Sequence, residues 1–134
     1  MKIFRQFQLK TFDNRGLKLT PVELKDVVPF EVKRVYYFGP ASSEVVSGQH
    51  CHKIEEEIFV MMRGSCTAVI DRGQGLEEIM MNGPNDAIYV PNFDWHGFKN
   101  FSSDALVLAL SSTNYSADRS DYVEDYEEFK RLRK

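Results

Sequence analysis

The chain has 134 residues, 17 lysines and arginines against 20 aspartates and glutamates for a net charge of −3, and 43% hydrophobic residues. That length fits one domain burying roughly two-thirds of the surface its unfolded chain exposes, and the composition is that of a globular protein rather than a disordered one. No basic stripe marks a nucleic-acid partner, no run approaches the ~20 apolar residues of a membrane span, and residues 1–7 lack the apolar core of a signal peptide, so a cytoplasmic protein is expected.

In chain order, strand-like runs fall at 4–10, 17–20, 33–38, 45–51, 56–62, 65–71, 77–81, 87–90, 95–100 and 105–111. Turn chemistry separates them: Asp13-Asn14-Arg15-Gly16, Gly39-Pro40, Arg63-Gly64, Arg72-Gly73-Gln74-Gly75 and Asn82-Gly83-Pro84-Asn85. Many short strands at such intervals predict an all-β sandwich or barrel, a single domain over 1–134. The apolar alternation of 3–7 is compatible with a strand added to a partner's sheet edge. Residues 121–133 are charged, with Tyr122, Tyr126 and Phe129 at helical spacing, which predicts a short C-terminal helix packing its aromatic stripe on the barrel. Cys66, in the run Cys66-Thr67-Ala68-Val69-Ile70, reads as a small core residue, and two cysteines agree with a reducing compartment.

All three histidines fall in two segments, His50-Cys51-His52 and Trp95-His96. On a strand, residues two apart share a face, so His50 and His52 aim into one cavity while Cys51 points away from it. Four residues separate His52 from Glu57 and six separate Glu57 from Gly64; His96 follows Pro91 by five positions and precedes Asn100 by four. These spacings resemble the two cupin motifs, HxHx4Ex6G and PxGxxHxxxN, with Phe93 standing where the second motif has glycine. Within Glu55-Glu56-Glu57 only the phase with His52 singles out Glu57; Glu55 shares its face but is the less favoured ligand.

The resemblance narrows further. Asn14-Arg15-Gly16-Leu17, the stretch 29–37, Gly48-Gln49-His50-Cys51-His52-Lys53, the stretch 90–96, Phe101-Ser102-Ser103-Asp104-Ala105 and Asp121-Tyr122 occur in the order of the WxcM-like cupins. The chain is similar to the dTDP-4-keto-6-deoxyglucose 3,4-ketoisomerase group among them. The resemblance implies a cupin (RmlC-like) jelly roll, a homodimer, a dTDP-linked keto sugar as substrate, no required cofactor, and a place in deoxyamino-sugar supply for surface polysaccharide. It also implies His50 and His52 as the acid/base pair and Tyr37 as a nearby active-site residue.

The chemistry suits those residue types. Moving a ketone from C4 to C3 needs a proton taken from C3 and one returned to C4 through an enediol, and an imidazole of ordinary pKa near 6.5 serves either transfer. A tyrosine hydroxyl can donate to the developing enediolate oxygen, and Arg34 is a candidate for the pyrophosphate, with an ordinary ion pair as the competing reading. His96 and Glu57 complete the substrate-binding set. Two departures leave alternatives open: Ser47 stands where the family has arginine, and Glu57 where it has glutamine. With Glu57, the residues His50, His52, Glu57 and His96 form a His3Glu set suited to a divalent transition metal, which is the alternative, metal-dependent reading. Ser47 motivates a third, an inactive nucleotide-sugar-binding cupin. The cluster 118–122 matches the family but carries no chemistry legible in the sequence; the barrel mouth or a dimer contact is its expected place.

Overall fold

The computed structural model of the protein describes residues 2–42 and 44–134. Twelve strands and two short helices follow one another as β1 (Arg5–Gln8), β2 (Phe12–Asn14), β3 (Leu17–Leu19), α1 (Leu24–Val27), β4 (Arg34–Phe38), β5 (Ser47–His52), β6 (Glu57–Arg63), β7 (Ser65–Asp71), β8 (Leu76–Asn82), β9 (Asp86–Val90), β10 (Trp95–Lys99), β11 (Leu106–Ser111), β12 (Tyr122–Val123) and α2 (Tyr126–Leu132). They form two antiparallel five-stranded sheets, ordered β1-β9-β6-β11-β4 and β12-β5-β10-β7-β8, with β2 and β3 as a separate hairpin. This is the expected jelly roll.

Period-two alternation sends Phe59, Met61, Ile70, Ile88, Val90, Phe98 and Val107 into the space between the sheets, where they form the main core. A second layer lies outside the first sheet, where Ile58, Val60, Tyr89 and Leu110 are covered by Val22, Val27, Val28, Phe30 and Val32. Outside the second sheet, Cys51, Trp95, Val123 and Phe129 form a third cluster under α2. Both cysteines are buried and unpaired, Cys66 in the main core and Cys51 on the face away from the cavity, as alternation requires.

The structure corrects the sequence reading in two places. The stretch read as one helix from residue 121 begins as a strand: Tyr122 pairs with His52 and Val123 with Cys51. The helix starts only after Asp125, whose side chain accepts from the Glu127 and Glu128 amides at 2.8 and 3.3 Å. The N-terminal strand pairs with β9 of its own chain, Phe7 opposite Ala87, and forms the edge of the first sheet. Asp13 and Asn14, read as part of a turn, form with Phe12 the first arm of a hairpin whose apolar residues Phe12, Leu17 and Leu19 are exposed.

Candidate active site

Cross-strand pairing places the histidines. His96 on β10 sits opposite His50 on β5, and Tyr122 on β12 sits opposite His52. The β5–β10 register slips between His96 and Gly97, leaving Gln49 as an extra residue at φ 69°. The strands approach closely there: a Cβ on Gly48 would meet the Gly97 Cα at 2.8 Å. Such a bulge re-aims the side chains beside it. The rings of His50 and His52 lie 4.7 Å apart, and those of His50 and His96 4.8 Å apart. With Tyr36 and Phe38 from β4, Ser47, Glu55, Glu57, Phe59 and Tyr122, they line a cavity of about 220 Å³ between the sheets.

Two carboxylates organise the floor. Glu57 is buried, accepts from the Tyr36 hydroxyl, and faces Nε2 of both His52 (3.4 Å) and His96 (3.5 Å). Glu55, 3% exposed, accepts from Arg34 Nη2 at 2.6 Å and from Ser111 Oγ, and lies 3.0 Å from His52 Nε2. On the other side of the same ring, Nδ1 of His52 meets Asp121 Oδ2 at 3.1 Å. Burial alone would disfavour a charged His52, but the hydrogen bonds and charges of Glu55 and Glu57 override it and push its pKa up to about 9. His50 goes the other way: burial, then the neighbouring His96 and His52, push its pKa down to about 3. The bonds from His52 and His96 outweigh burial at Glu57 and hold its carboxyl well below the usual range, while burial and Glu57 hold Tyr36 protonated. The pair thus splits at neutral pH into a neutral, half-buried His50 and a buried cationic His52.

Of the expected site residues, His50, His52, Glu57 and His96 come together and Tyr37 does not. Tyr37 lies on the outer face of edge strand β4, 73% exposed, because alternation turns its neighbours Tyr36 and Phe38 inward. The tyrosines at the cavity are Tyr36 and Tyr122. Arg34 does not line this cavity; it makes the ion pair with Glu55 and borders an adjoining cavity with Tyr115, Arg119 and Tyr122. Sequence reasoning missed Tyr36 by one position, set Glu55 aside, and found no role for Asp121 or Tyr122. Strand phase alone could have found Tyr36; Asp121 and Tyr122 reach the site through a pairing that joins residues some 70 positions apart in the chain.

A metal does not fit the His3Glu set as arranged. The ligand atoms of His50, His52 and His96 lie within 4.8 Å of one another, as do those of His52, Glu55 and Glu57, and the two groups share only His52. That ring faces carboxylates at both nitrogens, Glu55 at Nε2 and Asp121 at Nδ1, so a proton on each nitrogen competes with a cation for the ring.

Comparison with known proteins shows the family of the chain. Residues 2–134 match the model of the family described as FdtA: WxcM-like, C-terminal. A TDP-4-oxo-6-deoxy-α-D-glucose-3,4-oxoisomerase from Aneurinibacillus thermoaerophilus is 37% identical over 122 residues, 91% of this chain and 86% of that protein. Among solved structures, the WlaRB TDP-quinovose 3,4-ketoisomerase of Campylobacter jejuni superposes with a TM-score of 0.87 at 34% identity, covering 98% of this chain and 99% of that one. The WlaRA TDP-fucose-3,4-ketoisomerase of the same organism gives 0.85 at 31%, covering 98% and 96%. The match over residues 2–134 places this chain in the WxcM-like family.

Proposed function

We propose that this protein is a TDP-sugar 3,4-ketoisomerase that converts TDP-4-keto-6-deoxyglucose to its 3-keto isomer by proton transfer, with His50 as the mobile acid/base. The observation that carries the mechanism is the split histidine pair in the cavity of a chain similar to such enzymes throughout. A base must be neutral to accept a proton, and His50 is the neutral, half-buried imidazole facing the cavity. It takes the C3 proton; the electrons left behind form the C3–C4 double bond as the carbonyl pair moves onto O4. The enediolate oxygen is then protonated, the O3 hydroxyl gives up its proton as the C3 carbonyl forms, and C4 receives a proton, so every proton lost is returned. The fixed charge of His52 stabilises the enediolate without moving a proton. Burial raises the pKa of Tyr122, which keeps its hydroxyl a donor at the cavity wall.

The cavity accommodates a sugar ring, and the nucleotide extends toward the adjoining cavity bordered by Arg34, Tyr115 and Arg119. No metal participates, a reading supported by the doubly bonded His52. We also assign the whole chain to one cupin domain acting as a cytoplasmic homodimer in deoxyamino-sugar supply for surface polysaccharide. Exposed Val35 and Tyr37 on edge strand β4, together with the exposed apolar residues of the β2–β3 hairpin, supply surface for a second copy to cover. No helix among the described residues is long and apolar enough to cross a membrane.

The test is an NMR time course with TDP-4-keto-6-deoxyglucose in deuterated water. Migration of the ketone to C3 with deuterium appearing at C4 is expected, and His50→Asn should slow it by about 10²- to 10⁴-fold while leaving the fold intact. An intact protein that leaves the ketone at C4, or an undiminished rate in His50→Asn, overturns the assignment.

A further inference from the structure

We propose that Asp121 is the positioning residue of this site, one carboxylate that fixes both the ring of His52 and the turn delivering Glu55. This rests on the proton-transfer reading above. Asp121 Oδ2 meets His52 Nδ1 at 3.1 Å, Oδ1 accepts from the Ile54 amide at 2.6 Å, and Oδ2 also accepts from the Glu55 amide at 3.2 Å. Its backbone carbonyl accepts from Lys53 at 2.9 Å. The segment between the two histidine-ring partners is therefore pinned at three successive amides by one residue from the far end of the chain. Glu55, the second group pinned this way, returns to the same ring and takes Nε2. Asp121 thus controls both ends of the imidazole, one directly and one through the backbone.

The strand that Asp121 leads into is too short to explain the arrangement by packing alone. β12 has two residues, and its first, Tyr122, lies against both rings, with centroids 4.9 Å from His50 and 4.5 Å from His52. Arg119 closes over the outer face of that tyrosine at 3.8 Å. Within residues 119–122, Asp121 and Tyr122 bear on the histidine pair, and Arg119 backs Tyr122 while pairing with Glu124.

The consequence is a division of labour. A ring gripped at both nitrogens cannot rotate or exchange tautomers, so His52 stays a fixed donor of two N–H groups and the moving proton is left to His50. In a hydrolytic triad, an aspartate that orients a histidine acts on rate through tautomer and orientation rather than binding, and the same signature is expected here.

Asp121→Asn separates the roles. With its amide oxygen on the Ile54 amide, its NH2 group faces His52 Nδ1, which must then accept, and the Glu55 amide loses its acceptor. With ¹⁵N-labelled histidine at pH 7, wild-type His52 is expected to show two protonated ring nitrogens and Asp121→Asn only one. The variant's kcat should fall about 10- to 100-fold with KM within about threefold of wild type. Unchanged ring signals, unchanged kcat, or a loss confined to KM overturns the inference. Should Asp121→Asn not fold, the wild-type spectrum decides alone, since a wild-type His52 with no proton on Nδ1 is incompatible with donation to Asp121. An inactive wild type with two protonated nitrogens would overturn the ketoisomerase reading and leave the positioning by Asp121 standing.

Discussion

Glu55→Gln probes the buried network beneath the histidines while changing almost no volume. Glu55 accepts from Arg34 Nη2 at 2.6 Å and from Ser111 through one oxygen, and from His52 Nε2 at 3.0 Å through the other. Glutamine's single carbonyl oxygen can keep the Arg34 and Ser111 bonds, which leaves its NH2 group pointing at the N–H of His52. Two effects add: the Arg34 bond loses its charge assistance, and the buried cationic ring loses a carboxylate. A hydrogen bond to a charged group contributes ~1.5–3 kcal/mol, and removing one partner of a buried pair costs ~3–5 kcal/mol. The Arg34 side chain is 23% exposed, so water recovers part of its share, and Glu57 still faces His52 at 3.4 Å. A loss of about 2–4 kcal/mol follows. Urea denaturation measures it: at a slope near ~2 kcal/mol per molar, the midpoint should fall by about 1–2 M with the slope unchanged. The exposed Glu23→Gln, as a control, should stay within ~0.5 kcal/mol of wild type. A Glu55→Gln loss equally small would refute the coupling of Arg34, Glu55 and His52 into one buried network.

Further predictions concern pH, backbone and metal. The pKa of His52, raised from 6.5 to about 9, makes a stabilisation that is complete below ~6.5 and lost as pH rises through about 9; the shift is worth about 3 kcal/mol. The unfolding free energy of wild type minus that of His52→Gln should therefore shrink by roughly that amount between pH 6 and 10, and a flat difference would contradict the charged assignment. With the pKa of His50 lowered to about 3, it stays a neutral base well below pH 6, so kcat/KM should hold from pH 7 to 5 and fall as pH rises past about 9 and His52 loses its charge. Gly64 adopts φ +72°, and a Cβ there would lie 2.6 Å from Asp104 Oδ1 and 2.9 Å from the Ala105 Cα; Gly64→Ala should lower stability by about 2–3 kcal/mol in thermal or urea melts. Prolonged dialysis against EDTA should leave kcat unchanged, and a loss restored by a divalent metal would revive the His3Glu reading.

How much of this was legible in the chain depends on the range of the interaction. The jelly roll and the shared face of His50 and His52 follow from period-two alternation, which acts within one strand; the same rule correctly turned Cys51 away. Tyr36 lay within its reach too, since Tyr36 and Tyr37 point to opposite faces and only one of them lines the cavity. Asp121 was beyond it, because nothing local distinguishes one aspartate in a charged tail from its neighbours. Glu55 was weighed only as a ligand: its face was read correctly, but its place between Arg34, Ser111 and His52 depends on residues of other strands.

Phe93 shows how a departure from a motif can preserve what the motif encodes. The glycine expected at that position marks a backbone conformation rather than a contact, and Phe93 adopts it, with φ at +66°. A non-glycine residue there costs about 1–2 kcal/mol. The cost is offset where it is incurred: the Phe93 amide donates to the His52 carbonyl at 2.7 Å, and the carboxylate of the next residue, Asp94, accepts from Arg133 at 3.0 Å. The turn that leads into Trp95 and His96 is thereby joined to the strand carrying His52, so the two histidine segments are coupled through the backbone as well as through their rings. The geometry on which the proton transfer depends is held by that junction on one side of His52 and by Asp121 on the other.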